Sequence, residues 1–371
     1  MDPTSRYAAL ISGRTRGAGA GMARGGLRVL AFLYGRVMAV RNAYYDTWAM
    51  PQWLDVPVIS VGNLTVGGTG KTPMTVWLCE RLLARGRKPA VLSRGYRASE
   101  EGIADELLVI SRQVPKAVAV AHADRARAGR LAIEQYQVRS AILDDGFQHR
   151  RLGRDLDIVL VDATRPFGYG YILPRGLLRE RIGGIRRADA VVITRCDQAD
   201  PDEIDAITRA IREWARDVPI VRAVHEPAGF TDLAGRSVDK PRATRPGCVA
   251  GIARPDAFVR TLAGLGLAPV ASTFYPDHHA YSTAEVESLA GWIREQRLDC
   301  LLTTEKDAVK LARLNADWPV PVVCIAVRMR MLANGEAVLD RLIDRMLREH
   351  EEPTEGQEMD TDGQESQGRQ G

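Results

Sequence analysis

Cysteine is scarce and shows no pairing pattern. Cys79, Cys196, Cys248, Cys300 and Cys324 are odd in number and scattered, with no C-x-x-C among them. That argues against a disulfide framework and a structural zinc site, and for a reducing compartment. Long apolar runs are lacking too. The best candidate, Leu27 to Val40, is interrupted by Arg28 and Arg36, whereas a spanning helix wants about 20 mostly apolar residues. Residues 1–22 hold no signal-peptide h-region. Charge of one sign is also missing: a net +4 over 371 residues is too little to argue for a nucleic acid partner.

Charge is present, but at the ends. Residues 1–54 carry Arg6, Arg14, Arg16, Arg24, Arg28, Arg36 and Arg41 against Asp2 and Asp46, whereas the segment from Glu351 onward is acidic with only Arg369 opposing. Tyr34, Tyr44, Tyr45, Trp48 and Trp53 are aromatic types that settle at a membrane–water interface, and arginine can snorkel. The expected arrangement is a helix on, or dipping into, the cytoplasmic leaflet, attracted by anionic lipid. The competing view is a helix packed on the protein's own core.

The most informative stretch is the glycine-rich turn Thr65-Val66-Gly67-Gly68-Thr69-Gly70-Lys71-Thr72, directly after the strand-like Val56 to Val61. Strand, glycine turn and helix start together form a phosphate cradle of backbone N–H groups and helix dipole. Lys71 would reach the β- and γ-phosphates and Thr72 would ligate Mg²⁺. Thr65 stands where the usual pattern has glycine, so the motif is a P-loop variant. Met74, Trp77, Leu78 and Leu82 give the following helix its apolar stripe. Pro73 suits its first turn and Gly86 its end.

Downstream, apolar strands at 89–93, 140–143, 157–161 and 188–194 alternate with helical stretches at 124–137 and 204–215, the pattern of a parallel sheet covered on both faces. The apolar run 107–110 is taken as a further short strand. A smaller α/β unit follows, with strands at 247–252, 268–274 and 300–303 and helices at 258–264 and 282–296. The second helix starts with a Ser282/Glu285 capping box. The resulting layout is a flexible basic N-terminus (1–23), a membrane-associated helical segment (24–54), a P-loop core (55–226), a smaller α/β domain (227–330), a C-terminal helix (331–350) and a disordered acidic tail (351–371).

Asp144 and Asp145 end a buried-type strand, where Walker-B-type carboxylates meet Mg²⁺; like charges so close repel unless a cation joins them. Asp105-Glu106 could orient an attacking hydroxyl, though alone the pair is an ordinary loop feature. Asp277-His278-His279 has no third ligand spaced to complete a metal set. Arg94, Arg97, Arg150, Arg151, Arg154, Arg175 and Arg179 gather near turns after strands, where open parallel sheets hold ligands.

Taken together, these motifs resemble the tetraacyldisaccharide 4′-kinases of lipid A synthesis. The resemblance rests on Gly62 to Pro73, Leu92 to Tyr96, Asp105-Glu106, Leu143 to His149, Leu173 to Glu180, Phe274 to His278 and Thr303 to Leu311, and it covers roughly residues 24–348. It implies transfer of the γ-phosphate of ATP to the 4′-hydroxyl of a lipid A disaccharide 1-phosphate, giving lipid IVA at the cytoplasmic face of the bacterial inner membrane. It implies a P-loop NTPase-like parallel sheet domain, a second, smaller α/β domain joined by a two-stranded linker, and an N-terminal membrane-associated helix. Thr65 to Thr72 would hold ATP, and Thr72, Asp144 and Asp145 would hold Mg²⁺. Asp105 would act as base with His278, beside catalytic Lys71, and Arg94, Gln148, His149 and Arg179 would face the substrate. A peripheral or monotopic monomer is expected. Leu177 and Arg181 depart from the family's frequent prolines, which predicts a looser loop around Arg179. Thr194-Arg195-Cys196-Asp197 faintly suggests a guanine-reading loop, so a GTPase or ATPase switch, a metal-chaperone NTPase and a non-catalytic adaptor remain alternatives.

Overall fold

The computed structural model describes residues 3–94, 105–252, 255–277 and 279–351. Gly95, Tyr96, Arg97, His278 and the tail from residue 352 lie outside the described residues. Two helices, α1 (Pro3–Ile11) and α2 (Ala18–Thr47), lead into the sheet. The first α/β half comprises β1 (Val58–Asn63), α3 (Lys71–Ala84), β2 (Pro89–Ser93), α4 (Asp105–Gln113), β3 (Val118–Ala121), α5 (Arg125–Tyr136), β4 (Ser140–Asp144), β5 (Leu156–Asp162), β6 (Ala190–Thr194) and α6 (Pro201–Arg212). The long β7 (Ile220–Thr231) leads into the smaller half: β8 (Ser237–Val238), β9 (Pro246–Ala250), α7 (Pro255–Gly264), β10 (Ala271–Phe274), α8 (Thr283–Glu295), β11 (Cys300–Thr304) and α9 (Glu305–Ala312). The chain returns through β12 (Val322–Met331) to α10 (Gly335–Glu351).

The strands join in the order β10-β9-β11-β12-β7-β6-β5-β1-β4-β2-β3, with β8 beside β7. β1 lies between β4 and β5, parallel to both. All six of its residues are buried, as are those of β4 and β5. This is why the central strands are continuously apolar: both faces are covered. On one face α3 and α10 pack side by side, with Met74, Leu78 and Leu82 against Leu339, Ile343 and Met346. Arg85 ties the two helices together through Asp340 and Asp344 at 2.9 and 2.6 Å.

Two long strands connect the halves. Ile220 to Arg222 of β7 continue the parallel sheet beside β6, and residues from Ala223 to Thr231 run antiparallel to β12. The start of β12 in turn pairs with β11. The boundaries expected at 226/227 and 330/331 therefore fall inside shared strands. Their ladder slips between Ala326 and Val327, opposite a stretch containing Gly229 at φ 149°, a bulge of the kind that bends a ribbon.

One expectation is corrected. The run 107–110 belongs to helix α4, not to a strand. Asp105 and Glu106 form its acidic first turn, favourable to the helix dipole, and Leu107, Val109 and Ile110 are its buried positions. The strand in this region is β3, a half-buried edge of alternating valine and alanine. The described part of the N-terminus touches the core. Tyr7 Oη donates to Pro174 O at 2.6 Å, Arg175 Nη1 donates to Ile11 O at 2.8 Å, and Ile11 is buried.

Candidate active site

The glycine turn leaves the carboxyl end of β1 at the centre of the sheet, the edge where open α/β sheets hold ligands. It is fixed on several sides. Val66 N donates to Leu177 O at 2.8 Å, and Arg179 N donates to Leu64 O at 2.7 Å. Asn63 Nδ2 donates to Thr65 O at 2.7 Å, and Thr194 Oγ1 donates to Thr69 O at 2.9 Å. Thr65 and Thr69 point inward while Val66, Gly67 and Gly68 are exposed. Gly70 has φ 94°, and a Cβ there would run into the His225 ring. Thr65 is thus a buried wall of the turn, and the exposed Gly67-Gly68 pair supplies the open backbone.

Lys71 is the first residue of α3 and Thr72 the second. Lys71 Nζ lies 3.3 Å from Asn63 Oδ1 and 3.4 Å from Asp145 Oδ1. Asp145 sits in the left-handed region at φ 52°, just past β4. Its Oδ1 and Oδ2 accept from Arg179 Nη1 at 2.8 and 2.7 Å. Burial alone would raise Asp145, but Lys71 and Arg179 hold its carboxyl below the usual range. Asp144 differs. Burial pushes it up to about 6, against the pull of Lys71 and with help from the charges of Asp145 and Glu106. Its Oδ1 is buried without a hydrogen-bond partner. An orphaned carboxylate oxygen next in sequence to an ionised carboxylate suits a divalent cation. No cluster of three or more acidic, histidine or cysteine ligands exists among the described residues; P-loop sites do without one because threonine and phosphate oxygens complete the set.

The 177–179 segment is firmly held, contrary to the looser loop expected from Leu177 and Arg181. Leu178 bridges both Thr65 and Ile172. Gln148 Nε2 donates to Asn63 O at 2.9 Å and to Glu180 Oε1 at 3.0 Å. Glu180, nearly fully buried, also accepts from Arg187 at 2.9 Å and from Asn42 of α2 at 3.0 Å. Arg41 of α2 donates to Gln148 O at 2.6 Å. Burial, followed by the guanidiniums of Arg125, Arg154, Arg151 and Arg41, pushes His149 down to about 4, leaving it neutral at neutral pH. Arg94 is exposed at the end of β2. Arg150, Arg154 and Arg175 bond to Asp46, Asp157 and Ile11 O respectively.

Asp105 and Glu106 open α4 and meet lysines of the smaller half. Asp105 Oδ2 lies 3.3 Å from Lys310 Nζ, and Glu106 Oε1 lies 2.9 Å from Lys306 Nζ. Burial works against the Lys306 charge, yet Glu106, Asp277 and Asp144 hold its ammonium above the usual range. Asn63, Glu180, Lys306 and Lys310 lie within the sequence motifs, but the motifs alone give them no chemistry: Glu180, Lys306 and Lys310 meet partners far along the chain, and Asn63 meets Lys71 only once the turn folds back.

The family described as Tetraacyldisaccharide-1-P 4′-kinase matches residues 23–348. This chain belongs to that family. The tetraacyldisaccharide 4′-kinase of Geobacter sulfurreducens is 40% identical over 368 residues, covering 92% of this chain and 100% of its own. That of Anaeromyxobacter sp. (strain K) is 37% identical over 330 residues, covering 83% and 87%. A solved structure, LpxK from Aquifex aeolicus in complex with ATP, is similar with a TM-score of 0.69 at 28% identity, covering 88% of this chain and 99% of that one. The kinase is therefore a phosphotransferase acting on an alcohol group, the 4′-hydroxyl of a tetraacyldisaccharide 1-phosphate, in lipid A biosynthesis. The switch, metal-chaperone and adaptor readings fall away. In the loop that suggested guanine reading, Arg195 is ion-paired to Asp162.

Proposed function

We propose that this kinase holds ATP on the Thr65–Thr72 turn, binds Mg²⁺ with Thr72, Asp144 and Asp145, and uses Asp105 to orient the sugar 4′-hydroxyl for transfer of the γ-phosphate, giving lipid IVA. The observation that carries this reading is the convergence of Lys71, Asp145 and the orphaned Asp144 oxygen at the end of β1 and β4. Lys71, already between Asn63 Oδ1 and Asp145, exchanges those oxygens for phosphate oxygens when nucleotide arrives. Mg²⁺, when bound, offsets the charge of the β- and γ-phosphates. Arg179 orients Asp145, and neutral His149 and Gln148 offer hydrogen bonds to the sugar. Arg94 lies at the outer rim as a phosphate contact for the acceptor. A loose phosphoryl-transfer transition state does not need a fully formed alkoxide. Asp105 therefore only orients the hydroxyl and accepts its proton late. His278 is its proposed partner, by the resemblance.

The membrane reading rests on α2. Val29, Leu30, Phe32, Leu33, Val37, Val40 and Tyr44 are exposed on it, at spacings that draw most of them onto one helical face. Among the described residues no helix is long and apolar enough to cross a membrane. We read α2 as lying on the cytoplasmic leaflet of the bacterial inner membrane, beside the acceptor's acyl chains, in a monomeric peripheral or monotopic enzyme.

The test is phosphate transfer from ATP to the lipid A disaccharide 1-phosphate in detergent micelles, with and without Mg²⁺. Incorporation should require Mg²⁺ and vanish on chelation. Full activity after chelation would remove the metal from the account, and no incorporation by folded protein would remove the reaction itself.

A further inference from the structure

The helix carrying the proposed base is secured from the other half of the molecule. α4 packs on α9, and two ion pairs cross the seam: Asp105 with Lys310 at 3.3 Å and Glu106 with Lys306 at 2.9 Å. At the far end of α4, Gln113 donates to Glu305. Lys310 lies in the last turn of α9, where a cation suits the helix dipole. A solvent-facing lysine would serve that purpose, yet Lys310 is only 9% exposed. A buried ammonium needs a charged or strongly polar partner. The carboxylate one turn before it, Asp307, is engaged elsewhere, accepting from Gly251 N at 3.1 Å, Tyr281 Oη at 3.1 Å and Thr304 Oγ1 at 2.6 Å. Asp105 is the carboxylate that Lys310 meets.

We propose that Lys310 is a positioning residue for phosphoryl transfer: its ammonium holds Oδ2 of Asp105 and leaves Oδ1 of the same carboxylate to accept from the sugar hydroxyl. Because the ammonium comes from the smaller half and the carboxylate from the P-loop half, the base is aligned only while α4 and α9 are in contact. The Glu106–Lys306 pair keeps the same end of α4 in register. This rests on the reading of Asp105 as the base.

The test compares Lys310→Met, Lys310→Arg, Asp105→Asn and the Lys310→Met/Asp105→Asn double variant of the full chain in micelles with ATP, Mg²⁺ and the lipid acceptor. Lys310→Met should lower kcat about tenfold or more while KM for ATP stays within about twofold, and Lys310→Arg should recover most of the loss. In the Asp105→Asn background Lys310→Met should add less than about twofold, because the two residues act as one unit. Should Lys310→Met not fold, Lys310→Gln takes its place. Wild-type kcat in Lys310→Met, an undiminished loss in the Asp105→Asn background, or no rescue by arginine overturns the proposal. Asp105→Asn that keeps turnover overturns the reading of the base and this inference with it. Inactive Asp105→Asn beside fully active Lys310→Met overturns the role of Lys310 alone.

Discussion

Asp144 and Asp145 are neighbours with opposite electrostatics. Asp145 is kept ionised by Lys71 and Arg179, whereas burial pushes Asp144 from its ordinary 3.8 up to about 6. A carboxyl raised in the folded state stabilises that state while protonated, so its contribution falls as pH rises from about 4 to about 6. His149, pushed down to about 4, acts in the other direction, its contribution rising with pH over the range from 4 to 6.5. The intact protein therefore blends the two, and a single substitution separates them. In metal-free buffer Asp144→Asn should be more stable than wild type at pH 7 by about 1–3 kcal/mol, and the gap should close toward pH 4. Denaturant melts across that range check it. An unchanged or widening gap at acid pH contradicts the assignment. The placing of Lys71, Thr72, Asp144 and Asp145 at the carboxyl ends of β1 and β4 was legible in the sequence because they sit in short contiguous motifs. Glu180 and Lys310 were not, because their roles depend on partners far along the chain, and Asn63 was not, because a strand-end asparagine shows no role until the turn brings Lys71 back beside it. Asp105 meets Lys310, and Glu180 meets Asn42 of α2.

At the level of elements, the nucleotide turn depends on backbone geometry that one methyl group would disturb. Gly70→Ala forces a side chain at φ 94° and into the His225 ring. Left-handed backbone alone costs such a residue about 1–2 kcal/mol. ATP affinity measured by calorimetry should drop about tenfold or more, and the melting temperature should fall by about a few degrees; wild-type affinity would show that the turn tolerates a different backbone. The buried strands were readable because both faces are covered and their residues are continuously apolar. The run 107–110 misled because four apolar residues suit a strand and a short buried helix equally. The edge strand β3 was missed because its half-buried valines and alanines carry no strong signal. α2 makes the membrane claim testable. Replacing exposed Leu33 and Val37 with Asp, on a face that does not pack on the protein, should release the enzyme from anionic vesicles in a sedimentation assay while its melt stays unchanged. Undiminished co-sedimentation would move the lipid contact elsewhere.

On the scale of the whole molecule, two α/β halves share one sheet through β7 and β12, and the groups assigned to catalysis are divided between them. The P-loop half supplies Lys71, Asp144, Asp145 and Asp105, and the smaller half supplies the lysines that meet α4. Such a division lets contact between the halves assemble the site and keep water from the γ-phosphate. Rates of ATP hydrolysis without acceptor should accordingly stay far below transfer rates in wild type, as a coupled phosphate-release assay would record; comparable rates would mean that the site is complete without the lipid. The central claim is that a nucleotide site built on Lys71 and Asp144-Asp145 delivers phosphate to a hydroxyl oriented by Asp105. Single-turnover transfer by Asp105→Ala, with ATP affinity measured on the same preparation, tests it most directly. The account predicts a loss of about a hundredfold or more in transfer with nucleotide binding retained; transfer near the wild-type rate would contradict it.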